Sequence, residues 1–259
     1  KLFSAMINRI DKVFKKEKKI LSIYFSAGHP DLNDTLNILK KLQDSGVDII
    51  EIGLPFSDPL ADGPTIQKSS TKALNNGMTT ETLFKQLDEV RNEINIPLII
   101  MGYFNPIMQY GIENFCKRCM SIGIDGLIIP DLPVEVYNEK YKSLFSSYGL
   151  YNIFLITPQT SNSRIKLIDK ASKGFIYMVS SSSVTGEKKA VNKVQTDYFK
   201  RIKAMDLKTP TIVGFGISNS TSFNSAVKYS DGAIIGSAFI NFLNLKGVNK
   251  INDFIKSIR

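Results

Sequence analysis

The stretch VDIIEIGLPFSDPLADGPTIQ, residues 47–67, begins as a strand and then runs into a loop broken by proline and glycine. In VDIIEIG, Ile49 and Glu51 share one face while Ile50 and Ile52 share the other. A segment apolar on both faces belongs to a parallel sheet covered by helices. The residues that follow carry Pro55, Pro59, Gly63 and Pro64, which break regular structure, yet they also carry Asp58 and Asp62. A long ordered loop holding carboxylates at a strand end is the form of a functional rim.

The same strand-then-helix pattern recurs along the chain at intervals of roughly thirty residues. The apolar runs are ILSIYFS, VDIIEIG, PLIIMGY, DGLIIPD, YNIFLIT, FIYMVSS, TPTIVGF and DGAIIGS, eight in all. Amphipathic stretches such as LNDTLNILKKLQDSG, TETLFKQLDEVRNEI and EVYNEKYKSLFSSYG lie between them. Eight such units with no sequence left for a second domain predict a single (β/α)8 (TIM) barrel domain over 1–259 rather than an open doubly wound sheet. Two additions are expected: a helix over 2–14 ahead of the first strand, which could plug the N-terminal mouth, and a helix near 64–75 in the loop after strand 2. SGVDIIEIG, IGIDGLIIPD and YSDGAIIGS also echo one another, each with a helix end, an Asp and then a strand.

Composition narrows the function. The net charge of +9 is concentrated at the ends, with +5 in residues 1–19 and +3 in residues 246–259. A basic balance confined to terminal helices is expected to be a set of solvated helix faces, and nucleic-acid binding is not expected. No apolar run is long enough to cross a bilayer, and the N-terminal stretch reads as a lysine-rich amphipathic helix rather than a signal sequence, so no membrane association is expected. The richness in Lys, Ile and Asn is that of an AT-rich genome, and the expected compartment is the cytoplasm, or the plastid stroma if plastid-encoded. Of the pair Cys116 and Cys119, Cys119 falls on one helical face with Ile112, Phe115 and Ile122, which predicts buried or partly buried thiols and no metal site.

In a (β/α)8 barrel the C-terminal strand ends build the active site. With Ile50 and Ile52 packing under helices, Glu51 should point into the barrel mouth, where desolvation would raise its pKa toward a value suited to proton transfer. Asp62 follows in the loop; an Asp before Gly is also an ordinary turn former, and spacing alone does not choose. Gly214, Gly216, Gly236 and Ser237 stand after strands 7 and 8, where main-chain amides and a helix N-terminus commonly hold phosphate. SSSSVTGEKKAVNK after strand 6 has the character of a lid that would bring Thr185 and Gly186 over a ligand. None of the eight runs contains a lysine and His29 is the only histidine, which disfavours Schiff-base, histidine-metal and Ser/His chemistry. Carboxylate acid–base work on a phosphorylated substrate remains.

EIGLPFSDPLADGPTIQ, taken with GYFNPIMQYG, DGLIIPDLPVE, FIYMVSSSSVTG, GFGIS and DGAIIGSA in this order, resembles the α subunit of tryptophan synthase over almost the whole chain. The resemblance implies a cofactor-free lyase that cleaves indole-3-glycerol phosphate to indole and glyceraldehyde 3-phosphate by a retro-aldol route. It implies Glu51 as the proton shuttle between indole C3 and the glycerol hydroxyl, and Asp62 as the partner of the indole N–H. It implies phosphate contacts at Gly186, Gly216, Gly236 and Ser237, an indole pocket including Tyr24, Met101, Ile128, Tyr177 and Phe215, and Thr185 as the lid residue. A pyridoxal phosphate-dependent β subunit is the implied partner in an α2β2 heterotetramer, faced by Asp58 and by Asn105 and Pro106 of the GYFNP turn. A sugar-phosphate isomerase barrel, or a silent barrel that only activates a partner or binds RNA, are the alternatives.

Overall fold

The computed structural model describes residues 8–180, 193–214 and 216–259. Eight parallel strands close in sequence order: β1 Ile20–Ser26, β2 Ile49–Gly53, β3 Leu98–Met101, β4 Gly126–Ile128, β5 Tyr151–Ile156, β6 Ile176–Val179, β7 Thr211–Gly214 and β8 Gly232–Ile235, with β8 pairing back onto β1. The expected barrel is therefore the fold. The helices are α1 Arg9–Phe14, α2 Thr35–Asp44, α3 Pro64–Asn75, α4 Thr80–Leu87, α5 Phe104–Tyr110, α6 Ile112–Ile122, α7 Val134–Val136, α8 Lys142–Ser147, α9 Asn162–Ala171, α10 Lys193–Ala204, α11 Ser220–Ala226, α12 Ser237–Lys246 and α13 Ile251–Ile258.

Strand alternation divides the core in two. Leu21, Ile23, Ile50, Ile52, Ile100, Leu127, Ile156, Met178, Val213 and Ile235 pack outward against the helices. Ile49, Ile99, Ile128, Ile153, Phe175, Ile212 and Ile234 fill the interior of the cylinder. The N-terminal mouth is plugged as anticipated, because Ile10 and Val13 of α1 join that inner cluster and Phe14 lies 6.0 Å from Phe175, ring centre to ring centre. Residues 2–7 of the expected helix lie outside the described residues. The helix in the loop after β2 is α3, begun by Pro64, where a missing N–H is harmless.

Three local expectations are corrected. The amphipathic stretch 80–94 reads as one helix, but α4 stops at Leu87. Arg91 turns inward to donate to the carbonyls of Gly123, Ile94 and Ile96 and to the Asp125 carboxylate, which a continuing helix would prevent. The GYFNP turn is instead the start of α5, with Pro106 in its first turn. The basic ends are also less freely solvated than expected, since Arg9 pairs with Asp125, Lys18 and Arg259 pair with Asp48, and Lys19 donates to the Ser230 carbonyl. Cys116 and Cys119 are buried, as their helical spacing indicated.

The repeated helix–Asp–strand pattern has a physical basis. Asp48 donates its N–H to the Leu21 carbonyl at 3.0 Å and accepts the Leu21 N–H on its carboxylate at 3.0 Å. Asp125 does the same with Leu98, both at 2.9 Å, and Asp231 with Thr211, both at 2.8 Å. Each Asp thus hooks the strand before it by two bonds, at the N-terminal ends of the β1–β2, β3–β4 and β7–β8 pairs. Asp125 is buried and also holds Arg9 and Arg91, whereas Asp231 is exposed. Asp125→Ala should lower the unfolding free energy by about 3–5 kcal/mol, because it strands a half-buried guanidinium, and Asp231→Ala by about 1 kcal/mol. Urea denaturation of the two variants checks this, and equal losses would contradict it.

Candidate active site

Glu51 lies on the inner face of β2, opposite Tyr24 of β1 and Ile99 of β3 in the ladder. It is 0% exposed. Oε1 accepts a 2.7 Å hydrogen bond from the Ser22 hydroxyl, while Oε2 is buried with no hydrogen-bond partner among the described residues. Burial raises its pKa from an ordinary 4.5 to about 7, the Ser22 bond opposing the shift. An acid that titrates near neutrality and keeps one oxygen uncommitted is equipped both to give and to take a proton.

Asp62 comes from the loop between β2 and α3, which is tightly held. The Phe56 N–H donates to the Ser70 hydroxyl, which returns a bond to the Phe56 carbonyl, and the Phe56 ring packs on Tyr103 at 5.2 Å. Tyr103 accepts the Ala61 N–H at 2.9 Å and donates its own proton to Asp62 Oδ2 at 3.0 Å. One phenol therefore fixes both the loop backbone and the carboxylate. Burial raises the Asp62 pKa to about 6, with the Tyr103 bond opposing.

Tyr24 and Tyr177 close the space between. Burial pushes both phenols well above their ordinary range, and the charges of Asp62 and Glu51 add to the shift at each. The two carboxylates and two tyrosines thus share one electrostatic neighbourhood, in which the tyrosines stay neutral. Each ring occupies room left by a glycine: a Cβ on Gly53 would fall 2.2 Å from the Tyr24 hydroxyl oxygen, and one on Gly214 would fall 2.2 Å from that of Tyr177. Met101 and Ile128 line the same interior beside them, and Ile66 of α3 packs onto the cluster from above the mouth.

At the end of β8, beside Tyr24, Gly236 immediately precedes α12 and Ser237 begins it. The free amides of a ten-residue helix face outward there, which is where an anion is favoured. Gly216 is exposed with φ +75°, a conformation that favours glycine. Thr185, Gly186 and Phe215 lie outside the described residues. Asp58 and Asn105 are exposed and Pro106 is half-buried, flanked by the exposed apolar side chains of Leu60 and Met108.

The structure brings together residues that the sequence reading passed over. Ser22 looks like one more strand residue, yet register places it under Glu51. Tyr103 looked like part of a surface turn, but it is buried and holds Asp62. Gly53 and Gly214 read as strand ends; only the positions of two tyrosine rings explain why they are small. A polar residue two positions before an inward tyrosine was the one available signal for Ser22.

Residues 10–258 match the family model described as tryptophan synthase alpha chain. The chain is 64% identical over 252 residues to the tryptophan synthase alpha chain of Flavobacterium psychrophilum, covering 97% of this chain and 100% of that one. A solved tryptophan synthase subunit alpha from Legionella pneumophila superposes with a TM-score of 0.89 at 32% identity, covering 98% of this chain and 97% of that one. A chain from a tryptophan synthase complex of Pyrococcus furiosus gives 0.84 at 32% identity, covering 93% and 98%. A closed barrel with two raised carboxylates at its mouth and a family match along nearly its whole length lead to one conclusion: the chain belongs to the tryptophan synthase alpha chain family.

Proposed function

We propose that Glu51 and Asp62 carry the retro-aldol chemistry of this chain, and that the glycine-bearing ends of β7 and β8 hold the substrate's phosphate. The activity of the family is the cleavage of indole-3-glycerol phosphate, a lyase reaction of tryptophan biosynthesis. The observation that carries the assignment is the Glu51 carboxyl, buried and inward with one oxygen unpartnered among the described residues.

In this reading Glu51 protonates indole C3, turning the ring into a cationic indolenine whose N–H faces the Asp62 carboxylate. The bond from C3 to the glycerol carbon then breaks and its electron pair returns to the ring. As it breaks, the hydroxyl on that carbon gives its proton to the Glu51 carboxylate and becomes the aldehyde. Glu51 ends the cycle protonated, as it began. A pKa of about 7 suits both halves, because neither form is strongly disfavoured near neutrality.

By the resemblance, the flat indole would lie among Tyr24, Met101, Ile128, Tyr177 and Phe215 and the glycerol phosphate on the amides of Gly186, Gly216, Gly236 and Ser237, with Thr185 as the lid residue. The proposed step asks for no cofactor in this chain; pyridoxal phosphate is assigned to the partner. The likeness to a chain of a tryptophan synthase complex supports a β-subunit partner. We take the assembly as α2β2, faced by Asp58, Asn105 and Pro106, where Leu60, 91% exposed, offers apolar surface beside them. We take the chain as one domain acting in the cytoplasm; among the described residues no helix is long and apolar enough to cross a membrane.

Glu51→Gln should lower indole release from indole-3-glycerol phosphate by at least about a hundredfold, with KM little changed. Full activity in this variant would remove Glu51 from the mechanism. The same substitution has a signed effect on stability. Between 4.5 and about 7 the folded chain keeps the Glu51 proton that the unfolded chain has lost, so stability falls as pH rises through that window and levels off above it. Asp62 acts in the same sense between 3.8 and about 6. Urea titrations at several pH values should show the wild type losing up to about 3 kcal/mol more than Glu51→Gln across the Glu51 window.

A further inference from the structure

We propose that Ser22 is a positioning residue for Glu51: by donating its hydroxyl proton to Oε1 it holds the carboxyl in place and leaves Oε2 as the oxygen that carries the mobile proton. The inference rests on the reading of Glu51 as the proton shuttle.

Ser22 is completely buried in an inner layer that is otherwise mainly aliphatic, on the inward face of β1 that also presents Ile20 and Tyr24. A buried hydroxyl is costly unless it is bonded, and an aliphatic side chain would pack better among Ile49, Ile99 and Ile234. The bond that offsets this cost is the 2.7 Å contact with Glu51. A serine hydroxyl has one proton to give. While that proton lies on Oε1, a proton held by the carboxyl belongs on Oε2, whose lone pairs meet no hydrogen-bond partner among the described residues. The two oxygens are thereby made inequivalent, one an anchor and the other the reacting atom.

The groups that share this neighbourhood do not provide the same restraint. Tyr24 on β1 and Tyr177 on β6 remain neutral, and Asp62, from the loop after β2, is engaged by the Tyr103 hydroxyl. Met101 on β3 and Ile66 on α3 are apolar. Ser22 supplies the hydrogen bond that favours the ionised form, so its removal has a defined sign.

The test uses the full chain with 13C-carboxyl-labelled glutamate, the Glu51 resonance being identified by its absence in Glu51→Gln. In Ser22→Ala its titration midpoint should rise by about one pH unit. The limb of the kcat/KM profile that reports Glu51 should move the same way whichever protonation state opens the cycle. kcat should fall about tenfold with KM within about twofold, because Ser22 acts through Glu51 rather than on the substrate. Ser22→Thr, which keeps the hydroxyl, should hold the wild-type midpoint. A Ser22→Ala midpoint coincident with the wild type overturns the proposal, and the NMR reading decides this without turnover. An active Glu51→Gln enzyme would instead overturn the underlying reading of Glu51.

Discussion

A carboxyl group sealed inside a cylinder of isoleucines is the constraint around which the upper half of this molecule is arranged. Ile49, Ile99, Ile128, Ile153, Ile212 and Ile234 make the interior a poor solvent for charge, and Glu51 stands among them fully buried. Desolvation brings the acid near neutrality, and Ser22 limits how far the shift goes. Tyr24 and Tyr177 keep the surroundings dry and uncharged, and the pinned loop brings a second carboxylate within electrostatic reach. Without the isoleucine layer the same glutamate would be an ordinary acid, ionised at neutral pH.

The two rims divide the work. At the N-terminal rim, charges are paired and serve as ties: Arg9 and Arg91 on Asp125, Lys18 and Arg259 on Asp48, with Ile10 sealing the mouth between them. At the C-terminal rim the two carboxylates of the site meet hydroxyls, from Ser22 and Tyr103. A cation beside either would hold its pKa low and take away the capacity to move a proton near pH 7. The positive surplus of the chain is thus placed where it stabilises the barrel without disturbing the acids.

The fold was legible because the strands are mainly apolar on both faces and each is followed by a helical segment; these are local signals repeated eight times. The facing of Glu51 was legible for the same reason, since alternation against Ile50 and Ile52 leaves it one direction. Tyr103 and Ser22 were not legible. Their meaning depends on which residue of another strand, or of a distant loop, lies opposite, and that register is a property of the closed sheet. The end of α4 was hidden likewise, because Arg91 answers to carbonyls and a carboxylate up to 34 residues away in sequence rather than to its own helical pattern. Propensity describes what a segment can do alone, and these residues are governed by partners.

The aspartate hook at the foot of β2 reaches further than its position implies. Asp48 grips Leu21 by both its amide and its carboxylate, and so fixes how β2 slides along β1. A slip of one residue would swap the two sides of the strand, sending Glu51 out beneath the helices and an isoleucine into the cavity. A side chain at the far end of the strand, never in touch with a ligand, therefore acts as the locating pin that decides whether the molecule has an acid at its mouth at all.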